Sequence, residues 1–376
     1  MIKRIYAVSA FVAVLVILTI LASCGPEMIQ DEQPTPKPES AFVIFPIDDQ
    51  GGRWSLYDKP GLEAQFTRAG LSSCFVYSSN NVQTEYSHVQ TAIAEGYDIL
   101  IIVVADSEES LAAVESAKNE GLFVILYDRV VSGYTSADCY VSYDNLAIGN
   151  MQGKFLVDAV AEESVKTNIP LYIYAGHGSD ENAKLFFSGA WAELQPKIDD
   201  GTFTIINSEK ALSYKDNLVL SNEQITEIVE EVNTQWDPAV AETMAIADIA
   251  EFAPLGHVHI LAPNDATSRS IAAMFRDNGN TIVITGQDGE TASLQAILDG
   301  KQSMTLLKPF GFLADALEPV FSDLIAGETP VLTKTFNNGT VTIPFASTMP
   351  RLISTRVDIE ACIEQDLIDG DSLVFD

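Results

Sequence analysis

The chain has 376 residues and a mass of 40.8 kDa, and 47% of its residues are hydrophobic, enough to bury the cores of two domains of ordinary size. Its 53 acidic residues against 21 Lys and Arg give a formal net charge of −32. That balance excludes a surface that tracks nucleic-acid phosphates or lies on anionic lipid, because both need clustered cations.

The first residues read as an export signal. Lys3 and Arg4 give a positive start, residues 5–21 form an apolar run, and small residues lead to Leu21-Ala22-Ser23-Cys24. A cysteine at that boundary resembles the lipobox of bacterial lipoproteins, which implies lipid attachment at Cys24 and an extracytoplasmic, membrane-anchored chain. Residues 25–40 contain Pro26, Pro34, Pro36 and Pro38 among polar residues, a composition expected of a flexible tether. Cys74, Cys139 and Cys362 are odd in number and widely spaced, so no disulfide framework or zinc ribbon is expected.

Beyond the tether, short apolar runs alternate with helical stretches. Residues 42–47, 74–77, 99–104, 122–127, 171–175, 204–206, 257–262, 281–285 and 304–307 read as buried parallel strands. Residues 56–69, 110–120, 146–161, 183–194 and 291–298 read as helices, with Gly70, Gly96, Gly121 and Gly300 where helices stop. The alternation predicts right-handed βαβ units and an α/β fold of doubly wound parallel sheets, two sheets of about five or six strands each. The charged stretch 207–233 interrupts the second half and reads as an inserted helical or loop segment.

Ligands of open α/β sheets bind at the carboxyl ends of strands, and polar residues gather there. Asp48, Asp49, Arg53 and Trp54 follow the first strand, and Asp128 and Arg129 follow residues 122–127. Asp144 and Asn145 follow residues 139–143, and Asp180, Asn182 and Lys184 follow 171–175. Asn264 and Asp265, then Gln287 and Asp288, then Lys308 complete the series. Carboxylates, amides and planar guanidinium groups suit a small neutral ligand carrying many hydroxyls, and Trp54 and Trp236 suit the apolar face of a sugar ring. Asp144 and Asp265 read equally well as helix N-caps. Trp191 lies within a helical run and is expected in the core.

Arg53-Trp54, Leu126-Tyr127-Asp128-Arg129, Val141-Ser142-Tyr143-Asp144-Asn145, Asn182-Ala183-Lys184, Gln235-Trp236-Asp237, Asn264-Asp265-Ala266, Gly286-Gln287-Asp288 and Lys308-Pro309 together resemble the type I periplasmic sugar-binding proteins of ABC importers, closest to the xylose-binding and multiple-sugar-binding periplasmic proteins. The resemblance implies two Rossmann-like lobes, residues 41–143 with 309–345 and residues 144–308 with 346–376, joined by a three-crossover hinge. It implies one monosaccharide between Trp54 and Trp236, with xylose, glucose and galactose all open. Arg53, Arg129 and Asn182 would donate to it, Asn264, Asp288 and Lys308 would grip its hydroxyls, and Asp128, Asp144, Asn145, Asp180 and Lys184 would orient the others. The implied partner is an ABC permease and the implied state a monomer; the alternative is a ligand-sensing subunit for a chemoreceptor or sensor kinase, or a binder of a furanose-like signal molecule.

No G-x-S-x-G, H-E-x-x-H or Walker motif occurs, so catalysis is not expected. Neither a cofactor nor a metal is expected, since the calcium loop D-x-D-x-D-G is also missing.

Overall fold

The computed structural model describes residues 37–48, 53–132, 137–251, 256–309, 311–337 and 341–375. Cys24, the export segment and residues 25–36 of the tether lie outside the described residues.

The first sheet has seven strands: β1 (Ser40–Phe45), β2 (Ser72–Tyr77), β3 (Ile99–Ile102), β4 (Phe123–Tyr127), β5 (Cys139–Tyr143), β11 (Lys334–Asn337) and β12 (Thr342–Thr348). Their order is β11-β12-β5-β4-β3-β1-β2. Every neighbouring pair is parallel except β11–β12. Phe42 and Ile44 pack on one face and Val43 and Phe45 on the other, so β1 is apolar throughout because both faces are covered. The second sheet is parallel, with order β7-β6-β8-β9, from β6 (Ile169–Ile173), β7 (Phe203–Ile205), β8 (His257–Leu261) and β9 (Thr281–Ile284). The short pair β10 (Thr305–Leu307) and β13 (Arg351–Ile353) is antiparallel, and a parallel bridge from Leu307 to Asp288 sets β10 beside the chain leaving β9.

This is the α/β, doubly wound, two-lobed architecture. It differs from expectation in its strand distribution, seven, four and two. β11 and β13 escaped the sequence reading because they are short and partly exposed, and β12, seven residues long, because Pro344, Ser347 and Thr348 break its apolar run. The chain passes between the lobes three times, after β5, after β10 and after β12. The last strand carries the first sheet on to Thr348, past the boundary expected at 345.

The stretch 207–233 is helical, one of the two forms expected of it, and it packs into the core of the second lobe. Helices Glu209–Ser213 and Asn222–Glu231 connect β7 to the rest of the second lobe, and Ala211, Ile225, Ile228 and Val229 are buried in the same core as Trp191 and Leu194. The charges lie on the outer face, which is why the composition looked irregular. This segment also has a positional job. The Ala175 amide donates to the Val232 carbonyl and the Thr234 amide donates to the Ala175 carbonyl, which fixes residues 233–236 beside the end of β6.

Helices Asn145–Ala159 and Glu181–Asp199 pack backbone against backbone. A Cβ on Gly149 would stand 1.9 Å from the Phe186 carbonyl oxygen, and one on Gly189 would stand 2.1 Å from the Leu146 carbonyl oxygen. No side chain fits there, so glycine is required by close approach rather than by dihedral freedom. Gly149→Ala should therefore force the helices apart and cost about 1–3 kcal/mol or more. A urea midpoint unchanged from the parent would contradict this packing.

Candidate functional site

In doubly wound sheets the strand order reverses at a switch point, where loops on either side splay apart and leave a crevice. In the first sheet this falls between β1 and β3, in the second between β6 and β8. The two crevices face each other across a cavity of 590 Å³ lined by Asn80, Ser107 and Arg129 from the first lobe and by His177, Asp180 and Trp236 from the second. That volume is in the range of small-molecule sites. At one rim the lobes touch. The Ser107 amide donates to the Ser179 carbonyl at 3.2 Å, the Glu181 amide to Ser107 Oγ at 3.1 Å, and Ser132 Oγ to Glu181 Oε2 at 3.3 Å.

The centre of the site is Asp128. Its φ of 64° turns the chain back after β4, so that its carbonyl oxygen faces inward and accepts from Tyr140 Oη (3.0 Å), Ser142 Oγ (3.0 Å) and Asn182 Nδ2 (3.1 Å). Asn145 Nδ2 in turn donates to Asn182 Oδ1 at 2.6 Å, so two amides from the close-packed helices lock onto one first-lobe turn. The Asp128 carboxylate accepts from Arg53 Nη2 at 2.8 Å. Burial alone would raise its pKa, but Arg53 and then Lys308 outweigh that and hold it below the usual carboxylate range.

Arg53 also pairs with Asp58 (3.0 Å), and its guanidinium lies 4.2 Å over the Trp54 ring. Burial pushes the Asp58 carboxyl up to about 6, against the pull of Arg53 and of the Tyr127 hydroxyl donating at 2.7 Å. Trp54 itself is buried, packed on Phe45 at 5.3 Å, so Arg53 rather than open solvent covers it. Arg129 reaches Asn80 and the Val104 carbonyl at 3.3 Å and stands 3.7 Å from Asp180 of the other lobe. Asp180 also accepts from Trp236 Nε1 at 3.3 Å, and burial raises its pKa despite Arg129. From the second lobe Lys308 Nζ pairs with Asp288 at 2.6 Å and lies 5.9 Å from the Tyr143 ring and 5.6 Å from Phe186.

Backbone strain concentrates here. Asn80, Asp128, Gln235, Trp236 and Asp288 have φ of 51°, 64°, 57°, 58° and 109°, conformations that cost a non-glycine residue about 1–2 kcal/mol each and that cluster at ligand clamps.

The structure thus brings together Arg53, Trp54, Asp128, Arg129, Asn145, Asp180, Asn182, Trp236, Asp288 and Lys308. It gives the remaining candidates local partners. Asp144 caps helix Asn145–Ala159 by accepting from the Ala147 amide, and Lys184 pairs with Glu181 at 3.4 Å. The cap of helix Asp265–Asp277 is Asn264, not Asp265. Asp265 is fully buried and accepts from Gln302, Thr305 and the Gly289 and Glu290 amides, holding the loop after β9 onto β10. Burial and then the charge of Asp288 raise its pKa to about 8. Sequence reasoning missed Asp58, Tyr127 and Tyr143. Arg53 and Asp58 meet because residues 54–58 form a π-helical turn, which an α-helical spacing in the sequence does not announce.

Residues 42–329 match the periplasmic binding protein domain family. The chain belongs to that family. It is 28% identical over 335 residues to the multiple sugar-binding periplasmic protein SbpA of Azospirillum brasilense, covering 87% of each chain. It is 29% identical over 281 residues to the D-xylose-binding periplasmic protein of Escherichia coli K12, covering 72% of this chain and 74% of that one. Among solved structures, a carbohydrate transporter solute-binding protein from Chloroflexus aurantiacus in complex with D-glucose superposes with a TM-score of 0.82 at 35% identity, covering 89% of this chain and 98% of that one.

Two expectations follow for this periplasmic binding protein. A Cβ on Gly176 would stand 2.1 Å from the Trp236 indole, so Gly176→Ala should displace the ring and shift tryptophan emission while circular dichroism stays native; unchanged emission would contradict the contact. Asp58 and Asp265 both have folded pKa values above their unfolded ones, so the folded state binds more protons between about pH 4 and 8. Their contribution is full below the unfolded value and is lost as pH rises through the folded one. Asp265→Asn should flatten that decline in urea titrations run from pH 4.5 to 8.5, and an unaltered slope would place the proton elsewhere.

Proposed function

We propose that this protein is an extracytoplasmic receptor for one monosaccharide, an aldopentose or aldohexose such as xylose, glucose or galactose, which it delivers to an ABC transporter. The observation that carries this reading is the polar inter-lobe cavity together with the pairing of the cations in and behind its wall. Arg129 on the cavity, and Arg53 and Lys308 behind it, each face a carboxylate, so none of them is left to draw an anion. Such a site favours a neutral polyol, whose hydroxyls both donate and accept, over an anion. The likeness to sugar-binding relatives supports the same class of ligand.

The lobes would be the halves built on the first and on the second sheet, with Thr348 still in the first and the three crossings as the hinge. Sugar touching Arg129 on one side and Trp236, Asp288 and Lys308 on the other would stabilise the closed form, which the permease would then engage. Lipid attachment at Cys24 would keep the receptor at the membrane.

Titration calorimetry against D-glucose, D-xylose, D-galactose and L-arabinose tests the reading. One-to-one binding of one or two of them is expected, and Arg129→Ala and Asp288→Ala should each weaken it at least tenfold, since each leaves a charged partner unpaired in a desolvated site, a loss of about 1.5–3 kcal/mol. Native circular dichroism with unchanged affinity in both variants would refute the assignment.

A further inference from the structure

At the end of the second sheet away from the cavity, three side chains converge that none of the ligand chemistry uses. His257 opens β8 and His259 lies two residues on, so both imidazoles leave the same face of the strand. Glu163 ends the turn that follows helix Asn145–Ala159 and comes back over that face. Its Oε1 lies 2.9 Å from His257 Nε2 and 2.5 Å from His259 Nε2, and the three ligand atoms all fall within 4.8 Å of one another.

Hydrogen bonding explains only part of this arrangement. His259 Nε2 bonds to Oε1, but His257 Nε2, for all its closeness, is out of line for a hydrogen bond, and the second carboxylate oxygen, Oε2, is buried with no partner. Imidazoles set up purely as donors to a carboxylate would point at its oxygens; ligands of a common ion need only surround it. We propose that Glu163, His257 and His259 form a binding site for one divalent transition-metal ion of the zinc class. Two imidazole nitrogens and one carboxylate are the donor set such ions favour, with the remaining position left to water. His257 is 32% exposed at its side chain, which gives water and the ion a route in, whereas His259 is fully buried and anchors the inner side. A tetrahedral ion with bonds of about 2.0–2.2 Å separates its ligand atoms by roughly 3.4 Å, so shifts under about 1 Å at each contact would admit it. The ion would tie the far end of the helix that begins at Asn145 to the first residue of β8.

The test uses the full chain, purified without a polyhistidine tag, stripped with EDTA and titrated with zinc chloride at pH 7. One equivalent should bind, the thermal midpoint should rise with zinc concentration, and cobalt(II) should give the visible absorption of a tetrahedral site. Glu163→Gln and His257→Gln, both partly exposed positions, should each weaken zinc more than tenfold and abolish the cobalt band, leaving any sugar affinity unchanged because the ligand cavity lies at the opposite end of β8. Failure of the parent chain to bind zinc overturns the proposal. So does parent-like zinc affinity in either folded variant, which would put the ion elsewhere; should one variant not fold, the other decides.

Discussion

The carbonyl oxygen of Asp128 is the point on which both lobes converge. It accepts three hydrogen bonds, from Tyr140 and Ser142 of its own lobe and from Asn182 of the other. To present it inward the chain adopts a left-handed turn that costs about 1–2 kcal/mol. Three bonds at a net ~1 kcal/mol each more than offset that cost, so the donors together hold the strained turn in place. The donor from the second lobe stands where it does because Gly149, Gly153 and Gly189 let its helix lie against the preceding one. Helix packing therefore sets the position of an amide, and the amide sets the position of the turn that carries Arg53's partner.

Electrostatics works in the same direction. The chain is strongly acidic, yet the cations at the junction of the lobes, Arg53, Arg129 and Lys308, each meet a carboxylate. Burial raises the pKa of Asp58 and Asp180, while Asp128, facing both Arg53 and Lys308, is driven below its ordinary pKa. Asp128 therefore holds its charge more firmly than those two. Preorganised dipoles of this kind are strongest where water is excluded, which is the condition lobe closure would supply.

Much of this was legible in the sequence. Uninterrupted apolar runs marked the strands because both faces of each central strand are covered, and a polar residue after each strand marked the crevice. Edge strands β11 and β13 were not legible, because exposure and mixed polarity erase the apolar run. Nor could strand-end position distinguish roles: Asp128 and Asp265 both follow strands, but one faces Arg53 and the other is consumed by four donors from the loop after β9 and from β10 with the residues before it. Asp58, hidden in the first helical turns, and Glu163, far in sequence from His257 and His259, gained their significance only through tertiary contact. The charged stretch 207–233 looked irregular for a related reason, since Ala211, Ile225, Ile228 and Val229 face inward while its charges lie on the outer face.

The central claim is that a single sugar binds between the lobes, against Arg129 and Trp236. A crystal structure of the protein grown with D-glucose or another sugar it binds tests this most directly. The account predicts density for one pyranose in the cavity, with Arg129 and Asn182 donating to it, Trp236 against its ring and Asp288 or Lys308 on its hydroxyls. Sugar density outside the cavity, or closed lobes whose Arg129 and Trp236 both lie away from the sugar, would contradict it.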